Sequence, residues 1–400
     1  MRRVKVVSAM VGALALMAVA GCSTDPNVTP PSTSAPDASS PAASAEWFDQ
    51  ELYDTQYAQR TATPDGPADA PFLQSINANM VDTSKFASPG AKKGCFANAS
   101  LGNPWRQTGW ITMSEQLKEL QASGAISELE TRDAQDNDDT QIADIDYFIN
   151  EGNCDFFLIS PNSTAAMTPA VKRACETGKP VILFDRGVQT DCPVTFIHPI
   201  GGFAWGIDTS EFLVDNLTKG DKVVALRVAP GVDVLEHRWA AAEKIFTEAG
   251  INAVPYFTGA DPAEIKKIIS DELAKGDIQG VWMDAGDGAV AAIEAFEDAG
   301  VDYPVMTGED EMSFLRKWKE TGMTALAPVY TNFQWRTPLL AAAKIFAGEE
   351  VPKEWVLPQS PITVDELDGY LAANEGMPDG HYAKFGGESL ASFPGPWKNR

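Results

Sequence analysis

Residues 154–186 read CDFFLISPNSTAAMTPAVKRACETGKPVILFDR, and this stretch decides the fold. Two apolar segments, CDFFLISP and PVILFDR, flank TPAVKRACETGK, which we predict to be a helix. Short apolar runs without polar alternation are typical of strands that are buried on both faces, as in parallel sheets. A strand, a helix and a second strand in this order predict a parallel crossover unit.

The same alternation of strand and helix extends in both directions along the chain. One series begins near Lys93 and ends before Gly201, and a second runs from Phe203 to a strand around Val305. We therefore expect an α/β protein with two similar lobes, each a parallel sheet flanked by helices. Ligands bind such sheets at the carboxyl ends of strands, and in two lobes these ends can face each other across a cleft.

The N-terminus indicates the compartment. Residues 1–22 read MRRVKVVSAMVGALALMAVAGC, a basic start followed by an apolar run too short to span a bilayer, which predicts a signal peptide over residues 1–21. Its end resembles the bacterial lipobox, and this resemblance implies lipidation of Cys22. Residues 22–45 are rich in Ser, Thr, Pro and Ala and predict a disordered tether. We expect an extracytoplasmic protein anchored to the cell membrane by lipidated Cys22; an uncleaved anchor helix or an ordinary signal peptide is the alternative.

Composition argues against several classes of function. The formal net charge of −25 repels phosphate backbones, so we expect no nucleic-acid binding. His198, His237 and His381 lie far apart in the sequence without the spacing of zinc ligands, and we expect neither a metal nor a cofactor. The sequence contains no GxSxG, P-loop, HExxH or GxGxxG motif after a strand, so we expect no enzymatic activity.

The remaining cysteines can cross-link in an oxidising compartment. Cys95, Cys154, Cys175 and Cys192 allow three pairings. We favour Cys95–Cys154 and Cys175–Cys192, and buried free thiols are the alternative.

From about Lys93 to Leu367 the sequence resembles the ribose- and galactose-type periplasmic sugar-binding proteins, the type I solute-binding proteins of ABC transporters. The motifs that carry the resemblance occur in the family's order: Asn103-Pro104-Trp105-Arg106, Leu183-Phe184-Asp185-Arg186, Arg238 at a helix start, residues 279–300, Gly308-Glu309-Asp310 and residues 348–365. The resemblance implies a monomer whose lobes are joined by three hinge crossings, which we place near residues 199–203, 327–331 and 348–353. It also implies an ABC transporter permease as partner.

These expectations define a domain plan. Its parts are the signal peptide 1–21, the tether 22–45, an N-terminal extension 46–92, a first lobe 93–200 and 330–350, a second lobe 201–329 and 351–367, and a C-terminal extension 368–400. Both extensions contain aromatic residues and are expected to pack onto the lobes.

A sugar presents hydroxyl groups that donate and accept hydrogen bonds, together with an apolar C–H face. Its site needs carboxylates or amides, Arg or Asn, and an aromatic ring that stacks on the sugar. The resemblance implies a ligand-binding set of Asn103, Trp105, Arg106, Asp185, Arg186, Arg238, Asp284, Asp287, Glu309, Asp310 and Gln334.

Each part of this set also has a purely structural interpretation. Trp105 could be a core tryptophan, and Asn103 could be the N-cap of the following helix. Asp185 and Arg186 could form a surface ion pair, which contributes about 0–1 kcal/mol. Arg238 could face solvent on its helix.

The sequence departs from the family pattern at two positions. Ala285 stands where an amide is expected, beside Asp284 and Asp287, and Glu309 stands where an aromatic residue is expected. With Arg106, these residues make the predicted site more charged than a ribose site. We expect a monosaccharide or polyol as ligand; a modified sugar, a sugar acid or another metabolite is an alternative, as is a surface sensor that signals to a receptor.

Overall fold

Alternating strands and helices build two parallel sheets. The computed structural model describes residues 46–76, 78–286 and 288–400, so the predicted signal peptide, Cys22, the tether and Asp287 lie outside the described residues. The strands are β1 (Met80–Val81), β2 (Lys92–Asn98), β3 (Ile126–Asp133), β4 (Phe156–Ser160), β5 (Val181–Phe184), β6 (Thr195–Pro199), β7 (Lys222–Arg227), β8 (Asn252–Phe257), β9 (Gly280–Met283), β10 (Val305–Thr307), β11 (Ala325–Leu326), β12 (Val351–Pro352) and β13 (Glu354–Leu357).

Most helices connect consecutive strands. They are α1 (Gln50–Gln59), α2 (Pro104–Ala122), α3 (Asp138–Asn150), α4 (Thr164–Glu176), α5 (Gly202–Asn216), α6 (Asp233–Ala249), α7 (Pro262–Leu273), α8 (Ala289–Ala299), α9 (Met312–Thr321), α10 (Thr337–Ala347), α11 (Val364–Ala373) and α12 (Gly395–Lys398). Short 3₁₀ segments span Pro71–Leu73, Ser84–Phe86 and Asn332–Trp335.

The first lobe is built on a six-stranded sheet in the order β13-β6-β5-β4-β2-β3, with every neighbouring pair parallel. The apolar run of β4 explains its place inside this sheet. Phe156 and Leu158 pack into one core cluster, whereas Phe157 and Ile159 pack into another. Because successive side chains of a strand point to opposite faces, both faces of the sheet are covered.

The second lobe is built on a five-stranded parallel sheet in the order β11-β10-β9-β7-β8. Trp282 of β9 belongs to one core cluster, while Val281 and Met283 belong to another. The two lobes with parallel sheets confirm the predicted fold class.

The crossings between the lobes agree with the prediction at two places and correct it at the third. The chain passes from β6 to α5 through Gly201, and from β11 to the 3₁₀ segment at residue 332. However, β13 pairs with β6, so it lies in the first sheet. The chain returns to the second lobe only where Ile362 pairs with Ala327. The third crossing therefore lies near residues 358–361, and assigning residues 354–357 to the second lobe was wrong.

Both extensions pack onto the lobes. In the N-terminal extension, Phe72 is buried and Phe48 contacts the ring of Phe203 in α5. In the C-terminal extension, Trp397 is fully buried, and its indole nitrogen lies 3.2 Å from the Thr112 hydroxyl of α2.

The structure contains both favoured disulfides. Cys95–Cys154 joins β2 to the residues before β4, and Cys175–Cys192 joins α4 to the residues before β6. Both bonds lie within the first lobe.

Candidate functional site

A cavity of about 850 Å³ lies between the lobes at the carboxyl ends of their strands. The first lobe contributes Asn103 and Arg106 after β2, Asn162 after β4 and Arg186 after β5. The second lobe contributes residues 228–232 after β7, together with Ala285 and Gly288 after β9. Parallel topology thus brings together residues that are far apart in the sequence.

Arg106, which lines this cavity, forms an ion pair with Asp185, which follows β5 and is not among the cavity-lining residues. Arg106 Nη2 lies 2.7 Å from Asp185 Oδ2, and the two side chains are only 4% and 5% exposed. Burial lowers the pKa of Arg106, although the carboxylate of Asp185 opposes this effect. Asp185 also has a φ of 73°, a conformation that costs energy for a residue with a side chain and is enriched at functional sites.

The neighbouring Arg186 lies farther from the Asp185 carboxylate than Arg106 does. Its Nε lies 4.0 Å from Asp185 Oδ2, and its Nη1 donates to the Asn162 carbonyl at 2.6 Å. Arg186 is half-buried and lines the cavity.

Tyr330, in the second crossing, connects the two lobes. Its hydroxyl donates to the Asp185 carbonyl at 2.7 Å, and its own carbonyl accepts from the Trp105 indole at 2.9 Å. The guanidinium of Arg238, from the second lobe, lies 4.9 Å from the centre of its ring. Burial raises the pKa of Tyr330 well above its ordinary value, so the hydroxyl remains a donor.

In the second lobe Arg238 and Asp284 contact each other, and neither is among the cavity-lining residues. Arg238 is buried over the ring of Trp205 at 4.0 Å and donates through Nη1 to the Asp284 carbonyl. Asp284 Oδ2 accepts from the Val228 N–H at 3.1 Å. Burial raises the pKa of Asp284 to about 6, against the opposing charge of Arg238.

Glu309 and Asp310 follow β10 and are also buried. Glu309 Oε2 accepts from the Gly286 N–H at 2.8 Å, so it is held against the turn after β9. Asp310 Oδ2 accepts from the Lys384 N–H at 2.7 Å. Burial raises the pKa of Asp310 to about 6.

Several buried polar atoms of these residues have no hydrogen-bond partner among the residues that the structure describes. They are Arg238 Nε, Asp284 Oδ1, Asp310 Oδ1 and both polar atoms of Gln334. Because an unpaired buried polar group costs about 1–3 kcal/mol, such groups are rare and call for an explanation. They comprise donors and acceptors, which is the combination that a polyhydroxylated ligand satisfies.

Residues 94–350 match the family described as periplasmic binding protein domain. The chain belongs to this family. The ribose import binding protein RbsB of Bacillus subtilis (strain 168) is 27% identical over 224 residues, which cover 55% of this chain and 72% of the relative.

Solved structures share the fold of this periplasmic binding protein. An ABC transporter solute binding protein from Thermobispora bispora DSM 43833 superposes with a TM-score of 0.66 at 23% identity, covering 75% of this chain and 95% of the other. An ABC transporter solute binding protein from Bacillus halodurans C-125, with bound myo-inositol, superposes with a TM-score of 0.64 at 20% identity, covering 71% of this chain and 99% of the other.

Two predicted residues of the periplasmic binding protein have structural roles in the described fold. The Asn103 side chain accepts from the Arg106 N–H at 2.9 Å and caps α2, although Asn103 also lines the cavity. Trp105 is buried and packs against Tyr330 and Trp335, at ring distances of 5.7 and 5.8 Å. Stacking of Trp105 on a ligand stays a prediction, and Asp287 lies outside the described residues.

The C-terminal extension reaches the site in a way that sequence reasoning missed. Lys384 contacts Asp310 across 74 positions of sequence, and Tyr382 contacts Glu309 across 73. No motif around these two residues indicates the contacts, because they arise from tertiary packing alone.

Within the described part of the chain, no group of His, Cys, Asp or Glu is arranged to hold a metal ion. Among the same residues, no helix combines the length and apolarity needed to cross a bilayer.

Proposed function

We propose that this protein captures a monosaccharide or related polyol in the cleft between its lobes and delivers it to an ABC transporter permease. The observation that carries the proposal is a set of buried donors and acceptors on Arg238, Asp284, Asp310 and Gln334 that find no partner among the described residues. Two similar proteins support it, because one is a ribose import binding protein and the other is a solute binding protein with bound myo-inositol.

Ligand capture would act by hinge closure. Arg106 and Asp185 belong to the first lobe, whereas Arg238 and Asp310 belong to the second. A ligand that contacts both groups binds the closed state more tightly than the open one, and this difference shifts the population toward closure. A ligand held by one lobe alone would supply no such difference.

The proposal includes attachment to the cell membrane through lipidated Cys22. The two acyl chains of a diacylglycerol suffice for stable anchoring, and the tether would leave the folded residues free to meet a permease. Mass spectrometry of detergent-extracted native protein tests this point. The expected mass is that of a chain starting at Cys22 with a lipid attached, and a chain that retains residues 1–21 would contradict it.

A thermal-shift screen of residues 46–400 tests the ligand class. The probes are D-ribose, L-arabinose, D-allose, myo-inositol, a sugar acid (D-galacturonate) and a set of amino acids. A ligand at 100 times its Kd adds about 2.7 kcal/mol to the free energy of unfolding, which a melting curve resolves. We expect a shift with a sugar, a polyol or the sugar acid, and a shift with amino acids alone would overturn the proposed ligand class.

Two variants link the ligand to the described site. Arg238→Ala and Asp310→Ala should each weaken binding and impair closure, because each removes a second-lobe contact. Arg173→Ala is the matched control, since Arg173 pairs with Asp146 on an exposed surface. Unchanged affinity in both site variants would remove these residues from the binding site.

A further inference from the structure

Residues Asp379–Lys384, which we call the C-terminal segment, lie beyond the family region 94–350 but contact its acidic residues directly. The Lys384 N–H donates to Asp310 Oδ2 at 2.7 Å, and the Ala383 N–H donates to the Asp310 carbonyl at 2.8 Å. The His381 carbonyl accepts from the Met312 N–H at 2.7 Å, which fixes the segment against the start of α9.

The segment also contacts the residue before Asp310. Tyr382 is fully buried, and its hydroxyl lies 3.3 Å from Glu309 Oε2. That same oxygen accepts from the Gly286 N–H in the turn after β9. The segment therefore fixes two consecutive carboxylates of the second lobe.

On its other side the segment touches the first lobe at the edge of the cavity. The Thr108 hydroxyl of α2 lies 3.3 Å from the Gly380 carbonyl. A Cβ at Gly380 would lie 3.1 Å from Cβ of Pro104, which lines the cavity. The Phe333 N–H donates to the Lys384 carbonyl at 3.3 Å.

We propose that the C-terminal segment is a positioning element of the ligand site and helps set its specificity. It engages Asp310 Oδ2, whereas Oδ1 is buried and has no partner among the described residues, and we assign Oδ1 as the acceptor for the ligand. Asp310 then accepts one hydroxyl group of a polyol through Oδ1 and does not chelate two neighbouring hydroxyls. This inference rests on the proposed function, because it assigns Asp310 to the ligand site.

A pair of variants at Lys384 isolates the backbone contact. Lys384→Ala keeps the N–H that binds Asp310, whereas Lys384→Pro removes it. The first readout is the pKa of Asp310, which ¹³C NMR of the side-chain carboxyl groups measures; the Asp310→Asn variant identifies the Asp310 signal. The second readout is the Kd of the probe sugar or polyol that stabilises the unmodified protein. Relative to Lys384→Ala, we expect Lys384→Pro to raise the pKa of Asp310, because the ionised carboxylate loses a donor. We also expect its affinity to fall about 10-fold, the effect of losing one hydrogen bond to a charged group.

Tyr382→Phe provides a milder test that keeps the buried ring in place. It should weaken the same sugar or polyol several-fold while leaving the fold intact. Equal Asp310 pKa values in the two Lys384 variants, together with unchanged affinity in Tyr382→Phe, would overturn the inference. If no probe stabilises the unmodified protein, the proposed function fails, whereas the Asp310 pKa comparison still decides whether the segment positions that carboxylate.

Discussion

Arg106 and Asp185 face each other with almost no access to water, since they are 4% and 5% exposed. Removing Arg106 leaves the buried Asp185 carboxylate with the weaker contact to Arg186 Nε at 4.0 Å. Breaking a buried pair by removing one partner typically costs about 3–5 kcal/mol, whereas removing both charges avoids this penalty. We therefore predict that Arg106→Met lowers the free energy of unfolding by about 3–5 kcal/mol, and that Arg106→Met with Asp185→Asn recovers most of this loss, because Asn carries no charge and tolerates the positive φ of residue 185. Urea unfolding of residues 46–400 measures both.

The control for this prediction is a pair on the surface. Arg173 and Asp146 are 41% and 42% exposed, so Arg173→Ala should change the free energy of unfolding by less than about 1 kcal/mol. If Arg106→Met and Arg173→Ala cost the same, the Arg106–Asp185 pair is not a desolvated ion pair.

Single residues show how far sequence reasoning reaches. Sequence analysis placed Arg106, Asp185 and Arg238 in the site, and the structure brings all three to the contacts around Tyr330. The alternative interpretation paired Asp185 with its neighbour Arg186, but the shorter contact is with Arg106, 79 positions away, at 2.7 Å, while Arg186 Nε lies 4.0 Å from Asp185. The start of α2 delivers Arg106 to the end of β5, and only the assembled sheet determines that proximity.

Among the helices, α5 and α6 pack closely because two glycines remove side chains from their contact. A Cβ at Gly202 would lie 2.2 Å from the Val234 carbonyl oxygen, and one at Gly206 would lie 2.2 Å from that of Arg238. Such distances are far inside van der Waals contact, so any side chain at these positions must separate the helices. Since α6 also carries the Arg238 side chain, this packing positions a candidate ligand-binding group.

We predict that Gly206→Ala lowers the free energy of unfolding by about 1–3 kcal/mol, as overpacking does, and also weakens the ligand identified in the screen. Gly369→Ala is the matched control, because Gly369 lies in α11 with no atom within 4 Å of an added Cβ. That change should stabilise the protein by about 0.4–1 kcal/mol. Thermal unfolding and titration calorimetry check both variants, and equal effects would show that the α5–α6 contact is not tight.

Elements with a regular apolar pattern were predictable, and elements defined by distant pairing were not. The runs that became β4 and β9 are buried along their whole length, which their sequences indicate. The family resemblance placed a crossing near residues 348–353, but Gly348, at a φ of 77°, only ends α10. Strand β13 then adds to the edge of the first sheet beside β6, and no local feature of the sequence specifies that neighbour.

Across the whole molecule, each extension contacts both lobes. Arg60, just after α1, pairs with Asp208 and Glu211 of α5 in the second lobe at 2.6 and 2.7 Å. Further along, the Ile76 N–H donates to the Val356 carbonyl of the first lobe at 2.9 Å. The C-terminal segment joins the lobes as well, so hinge motion would have to accommodate two bridges in addition to the three crossings.

The covalent cross-links, by contrast, are confined to one lobe. Cys95–Cys154 and Cys175–Cys192 close sequence separations of 59 and 17 residues within the first lobe, and the second lobe contains no cysteine. Because a cross-link reduces the entropy of the unfolded chain more when it closes a longer loop, the first bond should stabilise more, by about 4 kcal/mol against about 3 kcal/mol.

We predict that replacing both cysteines of either bond by alanine lowers the stability of the first lobe while the second lobe keeps most of its own. Hydrogen exchange with mass spectrometry under native conditions separates the lobes, because peptides from β2 to β6 report on the first and peptides from β7 to β10 on the second. Protection against hydrogen exchange should fall mainly in the peptides from β2 to β6. The fall should be larger for the variant without Cys95–Cys154 than for the variant without Cys175–Cys192. Adding dithiothreitol to a variant that lacks both bonds should change nothing further, which excludes an effect of the reductant itself. Equal loss of protection in both sets would mean that the crossings and the two extensions couple the lobes into one unfolding unit.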